Sequence, residues 1–355
     1  MVNVLITGVG APGTTGTLYA LKNNPDGEEV NIFGTDIKEN PVGKYFVSRF
    51  YKISAPEDQE YIERLNSICS ENSIDVVIPQ TTRETSVLSK SKESVECKVV
   101  VTGQDSVDIA NNKFELMKRC ENIGVPCPRY YKVHALADLI DRAEEFGYPA
   151  KSVVVKPPVS FGSRGLRILK EYNSWSIRRF LSEKPSPIEM TLDDFSKIFT
   201  KDKHVDFPEM LVTEYLPGKE YSVDVFRGEK ASVAIPRLRA EIVNGISFKA
   251  ISDYRNDLIE YSLKISNHLN LKYAFGFQFK LDYSDTPKIL ECNPRVQGTM
   301  VASVFSGVNV IWLAVKEAIG QTVDKIPTPQ SFEFLRYWGG IGVTSDNSIH
   351  NVGRF

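Results

Sequence analysis

Three polar side chains in the last third of the chain, Gln278, Glu291 and Asn293, are spaced as ligands for a hard cation. Gln278 and Glu291 fall on two largely apolar runs, 273–283 and 288–292, that read as the arms of a hairpin turning across 284–287, and Asn293 directly follows the second. Side chains alternate along a strand, so Glu291 and Asn293 share a face. With the turn centred between Asp285 and Thr286, Asn293 stands opposite Gln278 and Glu291 opposite Lys280. One carboxylate and two amide oxygens on one side suit Mg²⁺ (or Mn²⁺), which takes its remaining oxygens from phosphate and water. Arg295, just past Pro294, would stabilise charge on a transferring phosphoryl group. Lys280 on the same face leaves open whether one metal or two is held. The bland reading is the solvated polar face of a hairpin.

A metal of this kind needs a phosphate, and three upstream segments offer one a place. Lys156 ends the apolar run 151–156. A lysine in dry surroundings is costly unless an anion offsets it. The loop after it holds Ser160, Gly162, Ser163, Arg164 and Gly165, small residues whose backbone N–H groups can cradle phosphate, with one added charge. The spacing is not that of a Walker P-loop. Lys113, behind Asn112 at the head of a predicted helix over 108–123, is a second phosphate candidate. The segment Glu214-Tyr215-Leu216 is extended and apolar enough to border an adenine edge, and Glu220 would hold ribose hydroxyls. Taken singly, these are also a surface lysine, a turn and an ordinary hairpin.

The elements that must position these groups follow from the hydrophobic pattern. Strands at 2–7, 30–34, 75–79 and 98–102 alternate with helices, the clearest at 58–71, where Tyr61, Ile62, Leu65 and Ile68 recur near the helical period. That order predicts a doubly wound parallel sheet over residues 1–105. Further on, 130–133, 151–156, 210–215, 220–226 and 230–235 read as strands, and 135–146, 254–270 and 308–320 as helices. Residues 106–210 form a first part with a polar, aromatic excursion at 173–208, and 211–355 form a second part carrying the metal site.

The first turn, Gly8-Val9-Gly10-Ala11-Pro12-Gly13, matches a dinucleotide-binding loop, and Asp36 ends the second strand. An NAD-dependent oxidoreductase is therefore one alternative, and a catalytically inactive nucleotide-binding protein another. Many such loops serve only to pack the helix on the sheet, and Gly10 is read as packing or lining a substrate. Arg237 and Arg239 alternate on one strand, and Arg83 follows the third strand of the first sheet, where open α/β folds bind ligands. Arginine pairs with carboxylates, so these three are read as candidates for an acceptor anion, against an ordinary surface ion-pair role.

Composition narrows the partners. The chain has 355 residues, 42% hydrophobic and 25% charged, with a formal net charge of −2. That balance offers no bulk attraction to nucleic acid or an anionic membrane. No apolar run approaches the roughly 20 residues that span a bilayer. The start, Met-Val-Asn-Val-Leu-Ile, reads as a strand rather than a secretion signal. Five cysteines without a C-x-x-C suit free thiols in a reducing cytoplasm, and four histidines form no zinc motif.

In this order and spacing, Asn112-Lys113, Lys156-Pro157, Gly162-Ser163-Arg164-Gly165, Glu214 to Tyr221, Gln278 and Glu291-Cys292-Asn293-Pro294-Arg295 resemble the ATP-grasp superfamily, in particular the carbamoyl-phosphate synthase large-subunit type. The resemblance covers roughly residues 1–340. It implies a pre-ATP-grasp domain followed by a two-part ATP-grasp domain. It also implies an ATP-dependent carboxylate–amine ligase acting on a small carboxylate and a small amine. Lys113 and Lys156 would then contact ATP, the 160–165 loop would cover the β- and γ-phosphates, and Arg295 would orient an acyl phosphate. The chain is far shorter than such a large subunit, which carries two such halves, and this speaks against carbamoyl phosphate as product. A homodimer is the base-rate expectation.

Overall fold

A computed structural model describes residues 1–160, 162–171, 177–182, 186, 188–201, 206–346 and 348–352. The chain forms two compact units. One comprises Met1–Asn111, Lys219–Phe279 and Glu291–Phe355, the other Asn112–Gly218 and Lys280–Leu290.

The first unit opens with strands β1 (Val2–Thr7), β2 (Val30–Asp36), β3 (Arg49–Lys52), β4 (Val76–Pro79) and β5 (Lys98–Val99). They lie in the order β3-β2-β1-β4-β5, and every pairing is parallel. Helices α1 (Thr14–Lys22), α2 (Tyr61–Glu71) and α3 (Thr82–Lys90) connect them. The doubly wound sheet expected from the sequence is present. Its central strands are buried almost throughout, which is why they read as continuous Val/Ile/Leu runs rather than alternating ones. β3 was not expected, because Arg-Phe-Tyr-Lys carries charges at both ends of an edge strand. Thr81 and Glu84 start α3 with a reciprocal capping box, each side chain meeting the other's backbone N–H.

The second unit holds β6 (Tyr130–Val133), β7 (Val153–Lys156), β8 (Arg167–Leu169), β9 (Glu189–Met190) and β10 (Met210–Glu214), in the order β6-β10-β7-β8-β9. Val153, Val155, Leu169, Met210 and Val212 pack there with Leu139, Phe146 and Phe195. The predicted helix over 108–123 is in fact two, Gln104–Asn111 and Lys113–Asn122. Asn112 between them has extended backbone, and its Oδ1 accepts from Phe114 and Glu115 N–H as an N-cap. Within the 173–208 excursion the structure places helices Ile177–Ser182 and Leu192–Lys201; residues 172–176, 183–185, 187 and 202–205 lie outside the described set.

A six-stranded sheet, β15-β14-β11-β12-β13-β16, is built from β11 (Glu220–Arg227), β12 (Ser232–Val243), β13 (Ile246–Ser252), β14 (Tyr273–Leu281), β15 (Pro287–Asn293) and β16 (Glu333–Leu335). β12 is longer than expected and β13 was not expected. They join at Asn244-Gly245, where both residues have positive φ, the conformation a two-residue hairpin turn demands. The helix Val310–Ala318, with the fully buried Trp312, belongs to the core that also takes residues from β1, β4, β11 and β12.

Candidate active site

In the first unit, the inner side of β14 is filled by Phe275, Phe277 and Phe279, all buried. Period-two alternation therefore turns Gln278 to the opposite face. Gln278 Oε1 accepts from Arg239 Nη1 at 3.1 Å. The same guanidinium pairs with Glu220 and donates from Nε to Ser247 Oγ at 3.0 Å. Arg239 is only 8% exposed, and burial draws its pKa below the usual arginine range while the Glu220 carboxylate opposes that shift. So Glu220, Arg239 and Gln278, from β11, β12 and β14, form one linked set.

A second set lies at the end of β15 and just past it. Asn293 Nδ2 donates to Glu291 Oε1 at 3.1 Å, and Arg295 Nη2 donates to Asn293 Oδ1 at 3.3 Å. Arg295 also donates from Nε to Thr82 Oγ1 at 3.1 Å, which fixes the segment against the first turn of α3. Both amide oxygens of the sequence-predicted metal set thus accept hydrogen bonds from guanidinium groups. They present lone pairs toward positive charge, as a Mg²⁺ ligand must. Among the described residues no group of three or more His, Cys, Asp or Glu could hold a metal. A cation here would depend on one carboxylate, two amides and ligand oxygens, a donor set suited to Mg²⁺ or Mn²⁺ rather than zinc.

In the second unit, Lys156 ends β7 and is 5% exposed; Lys113 is 6% exposed. Lys113 Nζ donates to Ser160 O at 3.0 Å and lies 3.3 Å from Ser160 Oγ, so it anchors the start of the glycine-rich loop. Gly162, Ser163 and Gly165 adopt positive φ, and Gly162, Ser163, Arg164 and Gly165 are all exposed. Successive left-handed residues turn backbone N–H groups outward, the geometry that receives anions. Glu214 accepts from Arg129 N–H at 2.9 Å and from Arg129 Nε at 3.2 Å. Leu216 is buried, and Lys280 Nζ stands 5.6 Å above the Tyr215 ring.

The remaining candidates divide. Arg83 is exposed and paired with Glu57, with Nε to Oε1 at 2.6 Å. Arg237 is 1% exposed and bound twice by Asp224, at 2.8 and 3.2 Å. Gly10 donates its N–H to Asp36 Oδ2 at 2.7 Å, and the other carboxylate oxygen accepts from Lys38 N–H at 2.9 Å. A Cβ on Gly10 would meet Asp36 and Pro41; one on Gly13 would meet the backbone of Gly298 at 2.8 Å; one on Gly16 would meet Val301 at 2.9 Å. The first glycine loop is thus a close-packing device, and Asp36, which a dinucleotide would need for ribose, is already engaged by two backbone amides. Two residues escaped the sequence reading. Arg336 donates to Gly298 O at 3.0 Å and Thr299 Oγ1 at 3.3 Å, and Gln297 is buried against Gly276, its Nε2 without a hydrogen-bond partner among the described residues. A polar residue two places after Arg295 was the available signal for Gln297; a lone arginine at 336 offered none.

Residues 206–337 match the family model described as ATP-grasp in the biosynthetic pathway with Ter operon, and residues 4–102 match the PylC-like N-terminal domain. The chain carries an ATP-grasp domain. It is 24% identical over 273 residues to the carbamoyl phosphate synthase large chain of Clostridium perfringens (strain SM101 / Type A), a match covering 72% of this chain and 23% of that one. The corresponding protein of Pyrococcus furiosus is 24% identical over 242 residues, 65% of this chain and 21% of that one. The chain spans about a quarter of the length of these relatives. Among solved structures, N5-carboxyaminoimidazole synthetase from Staphylococcus aureus, complexed with ADP, superimposes with a TM-score of 0.69 at 17% identity, covering 95% of this chain and 82% of that one. L-amino acid ligase from Bacillus licheniformis gives 0.63 at 15% identity, over 90% and 74%. These likenesses establish the fold: a pre-ATP-grasp domain followed by an ATP-grasp domain.

Proposed function

We propose that this chain is an ATP- and Mg²⁺-dependent ligase (Mn²⁺ serving equally) that phosphorylates a small carboxylate and joins the acyl group to a small amine. The observation that carries the reading is the presence of two hydrogen-bonded sets, Glu220–Arg239–Gln278 and Glu291–Asn293–Arg295, on an ATP-grasp fold. On this reading residues 1–105 are the pre-ATP-grasp domain, and 106–210 and 211–355 the two parts of the ATP-grasp domain. Lys113 and Lys156 hold phosphate oxygens, and backbone N–H groups of Ser160 and of 162–165 cover them, with Arg164 adding charge. Tyr215 and Leu216 border the base, Glu214 props the edge of its strand, and Glu220, held by Arg239, takes ribose hydroxyls. Gln278, Glu291 and Asn293 would hold Mg²⁺, which when bound neutralises phosphate charge. Arg295 orients the reacting carboxylate and its acyl phosphate. These groups work by positioning and electrostatics, as phosphoryl transfer requires. Arg83, Arg237 and Arg239 are each paired with a carboxylate and the Gly10 N–H is taken by Asp36, so the acceptor reading rests on the neighbourhood of Arg336.

The similar proteins, a carbamoyl phosphate synthase, a carboxyaminoimidazole synthetase and an amino acid ligase, are named as synthases or ligases of small molecules, and this supports the class of reaction. No helix among the described residues is long and apolar enough to cross a membrane. A cytoplasmic homodimer is the matching cellular form, with neither nucleic acid nor membrane as partner. The test is Mg²⁺-dependent release of ADP and phosphate from ATP across a panel of carboxylates and amines. A stimulating pair is expected, with turnover lost in Glu291→Ala; full activity in that variant would remove the metal assignment.

A further inference from the structure

The N-terminal sheet carries a reactive feature apart from every group assigned above. The Sγ atoms of Cys69 and Cys97 stand 2.9 Å apart. Cys69 lies on the buried side of α2 at 3% exposure, packed with Leu5, Leu65 and Val77. Cys97 immediately precedes β5 and is partly exposed. The two are 28 positions apart in sequence, with β4 and α3 between them, so the sheet rather than local spacing brings the sulfurs together. A surface cleft of about 450 Å³ is lined on this side by Ile62, Asn66, Ser70, Ser94 and Glu96 among others. Ser70 and Glu96 are the chain neighbours of Cys69 and Cys97, so the cleft adjoins the thiol pair.

We propose that Cys69 and Cys97 are a redox modification site that closes reversibly to a disulfide when the protein meets a hydroperoxide. The more accessible thiol, Cys97, loses its proton, and its sulfur attacks one peroxide oxygen. The O–O bond breaks, leaving a sulfenic acid on Cys97 and an alkoxide (hydroxide when the oxidant is hydrogen peroxide) that takes up a proton to become an alcohol or water. The Cys69 sulfur, giving up its proton, attacks the sulfenic sulfur; the S–O bond breaks and the hydroxide leaves, with a proton, as water. Two thiols are oxidised by two electrons and one hydroperoxide is reduced by two. The sulfurs need to approach by less than about 1 Å to reach bonding distance, so little rearrangement of α2 or β5 is required. The bond ties α2 to the segment feeding an edge strand and restricts the unfolded chain. A dithiol reductant restores both thiols by exchange. This inference is independent of the ligase reading.

The test treats the full chain with hydrogen peroxide, blocks remaining thiols by alkylation, digests without reduction and maps the peptides by mass spectrometry. The expected product is a single cross-linked pair joining the Cys69 and Cys97 peptides, lighter by about 2 Da than the two thiol peptides together and abolished by dithiothreitol. The oxidised protein should melt roughly 5–15 °C higher than the reduced one. Cys97→Ser, a change at a partly exposed position, should form no such pair and melt alike with and without peroxide. The proposal is overturned if both wild-type thiols stay alkylatable after peroxide, or if Cys97 advances to sulfinic acid without joining Cys69. The wild-type peptide map decides this even if the variant folds poorly.

Discussion

Replacing Asp224 with alanine leaves the Arg237 guanidinium enclosed in the six-stranded sheet with no carboxylate. The side chains are 1% and 0% exposed for Arg237 and Asp224, and two charge-assisted bonds, 2.8 and 3.2 Å long, hold them together. Among the described residues Arg237 Nη1 finds no hydrogen-bond partner, so none of them offers the guanidinium a second acceptor. Removing one member of a buried ion pair costs about 3–5 kcal/mol, because the remaining charge keeps its desolvation penalty. At about 2–4 °C per kcal/mol for a unit of about 240 residues, Asp224→Ala should lower the melting temperature of the first unit by roughly 6–20 °C. Trp312, 2% exposed in the core of the same unit, supplies a fluorescence signal for that transition. Because the chain has two units, the transition reported by Trp312 is the one to compare. Asp224→Leu combined with Arg237→Met removes both charges at similar volume and should recover most of the loss. A single variant within about 1 kcal/mol of wild type, or a double variant no better than the single, would refute the claim that this pair is dry and mutually dependent.

Glu84 offers a pH test. It is 4% exposed, and burial pushes its carboxyl up to about 7, against the hydrogen bonds from Thr81. The folded state therefore holds a proton that the unfolded state releases near its ordinary value, so stability should fall as pH rises from about 4.5 to about 7 and then level off. Glu84→Gln keeps an acceptor for Thr81 and should be more stable than wild type at pH 8 by up to about 3 kcal/mol, with the gap closing toward pH 5 in urea unfolding. Equal gaps at both pH values would rule out a neutral native Glu84. Gly276→Ala places a Cβ onto the amide of Gln297 and 2.9 Å from Val223 O, so it should cost about 1–3 kcal/mol in the same assay. Arg239→Met frees Glu220 and Gln278 from their shared cation; a drop of about 10- to 100-fold in kcat/KM for ATP is expected, and an unchanged value would remove Arg239 from the site.

Much of this was legible from residue patterns because the N-terminal strands are buried on both faces and the glycine loop marks the first turn. Asn244-Gly245 was a readable hairpin signal that would have revealed β13. The break at Asn112 was harder to see, since Asn112 sits inside an otherwise helical stretch and only its capping geometry shows that a second helix starts there. At the site, strand alternation placed Glu291 and Asn293 on one face, but the Arg239–Gln278 bond joins residues 39 apart on different strands. That contact depends on sheet order, with β11 between β12 and β14, which local spacing does not encode. The glycine loop shows the same limit: its spacing announces a turn, while only the fold shows Pro41, Gly298 and Val301 lying against Gly10, Gly13 and Gly16.

The central claim is that the chain activates a carboxylate by phosphorylating it. The most direct measurement supplies ATP, Mg²⁺, the stimulating amine and a carboxylate labelled with heavy oxygen, and then weighs the released phosphate by mass spectrometry. An acyl-phosphate route transfers one carboxylate oxygen to phosphate, so the account predicts one heavy oxygen in each phosphate released with ADP. Phosphate released at the same rate without the label would contradict it.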